Sequence, residues 1–146
     1  MKHARLLIAD AHQNMLEAVR RLLRDLFEVV VMVADGDSLI EVSTAMKPGL
    51  VIVDLSLPVS GTGNALRHLR LNNSLSPAKV IALSIHDEAE AVRRAFAAGA
   101  MGFVLKRAAA TDLIPAVSKV LHDHRYVSPG VQAEGRASAE NGINHT

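Results

Sequence analysis

Short apolar runs rich in Val, Ile and Leu recur along the chain, and each is apolar at nearly every position rather than at every second one. Strands that are buried on both faces of a sheet have this pattern. The runs cover residues 6–9, 29–34, 50–53, 80–83 and 101–105. We therefore predict five buried strands.

The segments between and after these runs carry apolar residues at helical spacing and predict five helices. Gly99 is a candidate C-terminal cap of the fourth helix, because glycine readily adopts the left-handed conformation that ends many helices. Thr111 is a candidate N-cap of the fifth helix, which places Pro115 near the helix start, where proline is least harmful. The alternation of buried strands and amphipathic helices indicates an α/β fold, with a parallel sheet covered by helices on both faces.

Composition and charge narrow the class of protein. The chain has 146 residues, of which 49% are hydrophobic and 21% charged, which is typical of one globular domain. A formal net charge of +1 gives no bulk attraction to nucleic acid or to an anionic membrane. The absence of cysteine excludes disulfides, thiolate metal sites and cysteine nucleophiles. No apolar run is long enough to span a bilayer or to serve as a signal peptide, so we expect a cytoplasmic protein without membrane contact.

The composition changes after Tyr126. Residues 128–146 are rich in Gly, Ser, Ala and Asn and contain one Val and one Ile. We therefore predict a folded domain over residues 1–127, followed by a polar C-terminal tail.

Four polar residues follow the predicted strands. Asp10 ends the first strand, Asp54 the third, Ser84 the fourth and Lys106 the fifth. In an open α/β sheet, ligands bind beyond the carboxyl ends of the strands, so we expect these side chains to converge. No glycine-rich phosphate loop follows the first strand, which disfavours a dinucleotide site.

This set of residues suits phosphoryl transfer to a carboxylate. An aspartate can attack a phosphoryl group and form an acyl phosphate. Catalysis of that reaction depends mainly on positioning and on cations that stabilise the charge of the phosphoryl oxygens. Asp10 and Asp54 offer oxygen ligands to a hard divalent ion, Lys106 offers a point charge, and Ser84 offers a hydrogen bond.

At these positions the sequence resembles the receiver domain of two-component response regulators, over roughly residues 3 to 127. The resemblance is carried by VIVDLSLP around Asp54, IALS ending at Ser84 and GAMGFVLK ending at Lys106. DLSLP, LSIHDE and RYVSP look most like receivers of the LuxR/NarL type. The resemblance implies a flavodoxin-like sheet in the order 2-1-3-4-5.

The resemblance also implies a role for each site residue. Asp54 would be the phosphoacceptor, Ser84 the hydroxyl that moves toward the phosphoryl group, and Lys106 the cation. Phe103 matches the aromatic switch position. The metal would be Mg²⁺, held by Asp10, Asp54 and the backbone carbonyl of Ser56.

One departure from the family pattern affects the metal site. Receivers usually end the first strand with two adjacent acids, whereas this chain has Asp10 followed by Ala11. Loss of one carboxylate should weaken Mg²⁺ binding, because affinity follows the charge of the ligands. Alternatively, the loop shifts and Asp10 takes the inner role.

Smaller departures concern three further positions. Thr62 stands where a glycine is common, and Arg107 stands where many receivers have a proline. Ile85 is bulkier than the small residue usual beside the hydroxyl, which is a reason to expect an altered lifetime of the acyl phosphate.

His12, His68 and His86 are interpreted as surface or loop residues rather than ligands.

The leading hypothesis is a receiver that takes a phosphoryl group from a histidine kinase or a phosphotransfer protein and switches the face formed by the fourth helix, fifth strand and fifth helix. Its only enzymatic activities would be self-phosphorylation and autodephosphorylation. The face would bind a partner or a second copy of the chain. The alternative is a phosphorylation-independent interaction or dimerisation module with a degenerate Mg²⁺ site.

A flavodoxin-like cofactor binder is disfavoured by the 3% aromatic content. LuxR-type regulators carry a DNA-binding domain after the receiver, and the residues after Tyr126 are too few for one, so no DNA binding by this chain alone is expected.

Overall fold

A computed structural model describes residues 2–60, 64–71 and 78–131; Leu71 is described by its backbone only. Six strands and five α-helices alternate along these residues. The strands are β1 His3–Ala9, β2 Phe27–Val33, β3 Leu50–Asp54, β4 Lys79–Ser84, β5 Gly102–Leu105 and β6 Tyr126–Val127. The helices are α1 Gln13–Leu23, α2 Gly36–Met46, α3 Ala65–Leu71, α4 Ala89–Ala97 and α5 Ala109–Leu121, and short 3₁₀ turns cover Arg24–Leu26 and Lys106–Ala108.

The strands form one parallel sheet in the order β2-β1-β3-β4-β5-β6. The predicted α/β fold and the order 2-1-3-4-5 are confirmed, and the sixth strand extends the sheet beyond β5. None of the helices in the described part of the chain is both long and apolar enough to cross a membrane.

The sheet lies between two apolar layers because successive side chains of a strand point to opposite faces. On β1, Leu6 and Ile8 pack toward α1 and α5, while Leu7 and Ala9 pack toward α2, α3 and α4. These residues of β1 are fully buried. The continuous apolar runs of the inner strands therefore reflect two buried faces, as the sequence predicts.

The second predicted strand differs from the inner ones. β2 pairs only with β1, and most of its residues are partly accessible, with Val29 45% exposed. An edge strand has a neighbour on one side only and is less covered by the flanking helices. The apolar run therefore marks a strand correctly, but not one buried on both faces.

The fifth helix begins earlier than Thr111. It starts at Ala109, directly after the 3₁₀ turn, and the residue at its N-cap is Ala108, which offers no side-chain cap. The Thr111 hydroxyl instead donates to the backbone carbonyl of Ala108. Pro115 consequently lies inside α5 rather than near its start. Gly99 does follow the end of α4 in the left-handed region, with φ of 105°, as predicted.

The folded unit continues past residue 127. Ser128 is fully buried, and its backbone N–H donates to Phe103 O at 2.9 Å. Val131 is also buried in the core. The composition of this segment is polar, but the hydrogen bonds of Ser128 allow it to be buried. The remainder of the expected tail, and the Thr62 position, lie outside the described residues.

Candidate functional site

The carboxyl ends of β1, β3, β4 and β5 meet at one edge of the sheet, and the four predicted polar residues lie there. Asp10, Asp54 and Ser84 are buried, and the side chain of Lys106 is 12% exposed. Asp10, Asp54 and Lys106 are in direct contact, and Ser84 lines the same cavity as Asp54. Parallel strands in register bring these ends together.

Lys106 bridges the two carboxylates. Its Nζ lies 2.7 Å from Oδ2 of Asp10 and 3.0 Å from Oδ2 of Asp54. Burial lowers the pKa of Lys106, but the hydrogen bonds and charges of Asp10 and Asp54 outweigh burial, so the pKa lies above its usual value. The lysine is therefore a permanent cation at the centre of the pocket at neutral pH.

Asp54 is oriented by the turn that follows β3. The backbone N–H of Ser56 donates to Oδ1 of Asp54 at 2.9 Å, and the Ser56 hydroxyl lies 2.9 and 3.0 Å from the two carboxylate oxygens. The backbone N–H of Leu57 donates to Asp54 O at 3.1 Å and closes the turn. The role of the Ser56 carbonyl as a metal ligand stays a prediction.

A cavity of about 240 Å³ opens beside Asp54. Ser84, Ile85 and His86 line one side, and Arg94 with alanines of α4 lines another. Ser84 Oγ accepts a hydrogen bond from the backbone N–H of His86 at 2.9 Å. A single water occupies about 30 Å³ in the liquid, so the cavity has room for a tetrahedral anion and several waters next to Asp54.

Phe103 lies on β5, the strand next to the one that ends at Ser84. Its side chain is fully buried in the layer that contains α3 and α4, and it stands opposite Ala82 in the register with β4. The structure therefore shows a core residue at the position that the resemblance marks as a switch.

His12 is a member of the site that the sequence analysis missed. Its backbone N–H donates to Oδ1 of Asp10 at 2.8 Å, and its ring Nδ1 lies 3.0 Å from the same oxygen. Nδ1 also lies 3.5 Å from Nζ of Lys106. The interpretation of His12 as a surface residue is right about its exposure, since the side chain is 71% exposed. The available signal was the Asp-x-His spacing, because an aspartate often accepts a hydrogen bond from the N–H two residues on.

The donor set can be tested for its fit to a divalent cation. Within the described residues, ligand atoms of Asp10, His12 and Asp54 all lie within 4.8 Å of one another. Oδ2 of Asp10 is buried against the Lys106 ammonium at 2.7 Å, and it retains accepting capacity because a carboxylate oxygen can accept from more than one partner. Ala11 is exposed and contributes no ligand. Two buried carboxylates and one imidazole fit a divalent ion.

Comparisons with known proteins agree with this geometry. Residues 6–118 match the model of the response regulator receiver domain. The chain is 34% identical over 128 residues to the transcriptional regulatory protein DegU of Brevibacillus brevis, with 86% of this chain and 53% of DegU covered. It is 29% identical to the response regulator GacA of Pseudomonas viridiflava, with 87% and 59% covered. The chain thus spans between half and three fifths of the length of these curated relatives.

A solved structure covers the chain more completely. The LuxR-family two-component response regulator from Aurantimonas sp. SI85-9A1 is 30% identical with a TM-score of 0.79, and 97% of this chain and 99% of that chain are covered. The signal receiver domain of NarL from Mycobacterium tuberculosis is 27% identical with a TM-score of 0.72, covering 84% and 98%. The resemblance noted in the sequence is confirmed: this chain belongs to the response regulator receiver domain family and has LuxR-family regulators among its relatives.

Proposed function

We propose that this chain is a phosphoacceptor receiver that takes a phosphoryl group from a cytoplasmic histidine kinase or phosphotransfer protein onto Asp54. The observation that carries the proposal is the placement of Asp54 between the ammonium of Lys106 and the cavity that Ser84 lines. A nucleophilic carboxylate, a fixed cation and a free volume for the transferred group are thereby adjacent.

The chemical step balances without an additional co-reactant. A carboxylate oxygen of Asp54 attacks the phosphorus of a phosphohistidine, the P–N bond breaks, and the imidazole leaves with its electron pair and takes a proton from water. The product is an acyl phosphate. Lys106 stabilises one phosphoryl oxygen, and the Ser84 hydroxyl turns from His86 to donate to another. A divalent ion held by Asp10 and Asp54 supplies further charge neutralisation when bound; Mg²⁺ is the family's ion, and its binding is weakened by Ala11.

The signal would leave the pocket through the face formed by α4, β5 and α5. Movement of Ser84 toward the phosphoryl group changes the space above the ring of Phe103, which is packed in the same layer as α4. Two arrangements of this face would then differ in affinity for a partner or for a second copy of the chain. The chain does no other chemistry than gaining and losing this phosphoryl group.

The test is the intact mass after incubation with Mg²⁺ and acetyl phosphate, with Asp54→Asn as the matched control. A phosphoryl-sized gain on the parent alone supports the proposal. The absence of a gain with acetyl phosphate and with a phosphorylated histidine-kinase domain would overturn it.

A second candidate is an interaction module that does not depend on phosphorylation. One observation favours it: the missing acid at position 11. Size-exclusion chromatography with light scattering discriminates the two functions. An oligomeric state that is identical in the parent, with and without acetyl phosphate, and in Asp54→Asn supports the module.

A further inference from the structure

One wall of the cavity beside Asp54 belongs to α4. It is formed by Ala91, Arg94, Ala95 and Ala98. These positions follow the spacing i, i+3, i+4 and i+7, which places them on one face of a helix. Because the three alanines are small, they leave the volume of about 240 Å³ open, and Arg94 is the long side chain of this wall.

Arg94 is also the permanent cation of the cavity. Among the described residues that line it, there is no lysine and no second arginine. Lys106 contacts Oδ2 of Asp54 at 3.0 Å but does not line the cavity, and its ammonium is shared with Asp10. A phosphoryl group carries its negative charge on several oxygens. The oxygens of a phosphorylated Asp54 that Lys106 does not reach would therefore face α4.

The guanidinium of Arg94 is only weakly held. Its side chain is 73% exposed, and its Nε lies 3.7 Å from Oε1 of Glu90. Glu90 lies closer to Arg93, at 2.8 Å. A long side chain that is exposed to solvent changes rotamer rapidly, so Arg94 can exchange this contact for a stronger one.

Arg94 borders a second space on its other side. A groove of about 700 Å³ between α3 and α4 is lined by Arg67, Arg70 and Arg94, and no acidic residue is among its described lining residues. Arg70 is fixed in this groove, because its Nη2 donates to Gly99 O at 2.6 Å and its Nε to Ala98 O at 3.3 Å. Like charges in the groove repel the guanidinium of Arg94, whereas a phosphoryl group in the neighbouring cavity attracts it.

We propose that Arg94 binds the phosphoryl group on Asp54 and thereby couples phosphorylation directly to α4. The planar fork of an arginine donates two parallel N–H groups to two oxygens of one phosphoryl group. The inference rests on the proposed function, because it concerns the acyl phosphate at Asp54. It adds a ligand on α4 to the contacts that Lys106 and Ser84 supply, and it removes one positive charge from the groove when the phosphoryl group forms.

The test compares the rates at which the full chain and its variants gain a phosphoryl group from acetyl phosphate with Mg²⁺, measured by intact mass. Arg94→Ala should react about tenfold more slowly, as expected for the loss of a charge-assisted hydrogen bond. Arg94→Lys keeps the charge but not the fork and should react at an intermediate rate. Arg93→Ala is the matched control, because Arg93 precedes Arg94 on α4 and contacts the same Glu90 but does not line the cavity. It should react like the parent.

A spectroscopic measurement separates a direct contact from a change in the packing of α4. ¹H–¹⁵N spectra follow the Nε–H groups of the arginines before and after phosphorylation. The resonance that is missing in Arg94→Lys identifies Arg94 and should shift when Asp54 is phosphorylated, whereas the resonance of Arg93 should stay in place. Thermal denaturation of Arg94→Ala should match that of the parent, since the side chain is largely exposed.

The outcomes distinguish this inference from the proposed function. Equal rates for the parent and Arg94→Ala, an equal loss of rate in Arg93→Ala, or an Arg94 resonance that does not respond would overturn the inference alone, because the parent still gains a phosphoryl group. If neither the parent nor any variant gains a phosphoryl group from acetyl phosphate or from a phosphorylated histidine-kinase domain, the proposed function fails and this inference fails with it.

Discussion

Within the part of the chain that the structure describes, buried carboxylates occur in two regions, and they are satisfied in different ways. At one corner, Asp112 accepts from the Ser128 hydroxyl at 2.7 Å and lies 3.0 Å from the Thr111 hydroxyl. At the sheet edge, Asp10 and Asp54 share the single ammonium of Lys106. Neutral hydroxyl groups contact the first carboxylate, whereas a cation shared by two carboxylates and an adjacent open cavity leave the second site able to exchange partners. A buried acid therefore indicates a ligand site only when its partners leave accepting capacity.

The largest expected effect comes from removing the ammonium of Lys106 at the sheet edge. Lys106→Met leaves two adjacent buried carboxylates without a counter-charge and should lower the free energy of unfolding by about 3 kcal/mol at neutral pH. Added divalent ion should restore part of the loss, because it replaces the charge. Urea unfolding in the presence and absence of a divalent ion at millimolar concentration measures both effects. Lys119→Met, at an exposed lysine of α5, is the control. Equal stability of the parent and Lys106→Met would show that the ammonium is not required.

At the corner that contains Asp112, the loss of a neutral donor should lower the free energy of unfolding. Ser128→Ala removes the hydroxyl that accepts from Leu105 N at 3.0 Å and donates to Asp112. Two buried polar groups then lose a partner, so unfolding should become easier by about 2 kcal/mol. No added metal should restore this stability. Ser118→Ala, on the exposed side of α5, serves as the control, and a rescue of Ser128→Ala by metal would contradict the comparison.

The pH dependence at the alkaline end should separate the two regions further. The pKa of Lys106 is raised above its usual 10.5, so its stabilising contribution is present below that value and is lost as the pH rises through the higher folded-state pKa. The stability difference between the parent and Lys106→Met should therefore shrink at high pH. Burial, and to a lesser extent Asp112, also raise the pKa of Tyr126, so its contribution at high pH must be separated from that of Lys106. Tyr126→Phe is therefore measured beside Lys106→Met. A difference that stays constant with pH would exclude the charge explanation.

The smallest effect is expected at an exposed ion pair. Arg93 lies 2.8 Å from Glu90 on the surface of α4, with both side chains more than half exposed. Arg93→Ala should change the free energy of unfolding by no more than about 0.5 kcal/mol. Thermal denaturation of Arg93→Ala and Lys106→Met compares the stability lost at an exposed contact with the stability lost at a buried one. A loss in Arg93→Ala as large as that in Lys106→Met would contradict this prediction.

The sheet and the location of the site could be predicted because both follow from simple periodicities. Doubly buried strands are apolar throughout, and the residues after parallel strands meet at one edge, which brings Asp10, Asp54 and Lys106 together. The burial of Ser128 could not be predicted in the same way. It depends on hydrogen bonds to Leu105 and Asp112 that join residues distant in the sequence.

Other features depended on local competition between conformations. α5 begins at Ala109, directly after the 3₁₀ turn, so Thr111 lies within the first turn of the helix rather than at its N-cap, and Pro115 lies inside the helix. A histidine is expected at the surface, so the residue type of His12 does not indicate a place in the pocket. The turn that binds its backbone N–H to Asp10 brings the imidazole there.

The alanine at position 11 also changes the charge that an approaching phosphodonor meets. Asp10, Asp54 and Lys106 together carry a formal charge of one negative unit, whereas a further acid at position 11 would make it two. A donor phosphoryl group is itself an anion, and the repulsion between two like charges scales with their product. Before any metal arrives, the electrostatic work of bringing an anionic donor to Asp54 is therefore smaller than a three-acid pocket would demand. The substitution that removes a metal ligand thus lowers the barrier that the metal would otherwise be needed to overcome.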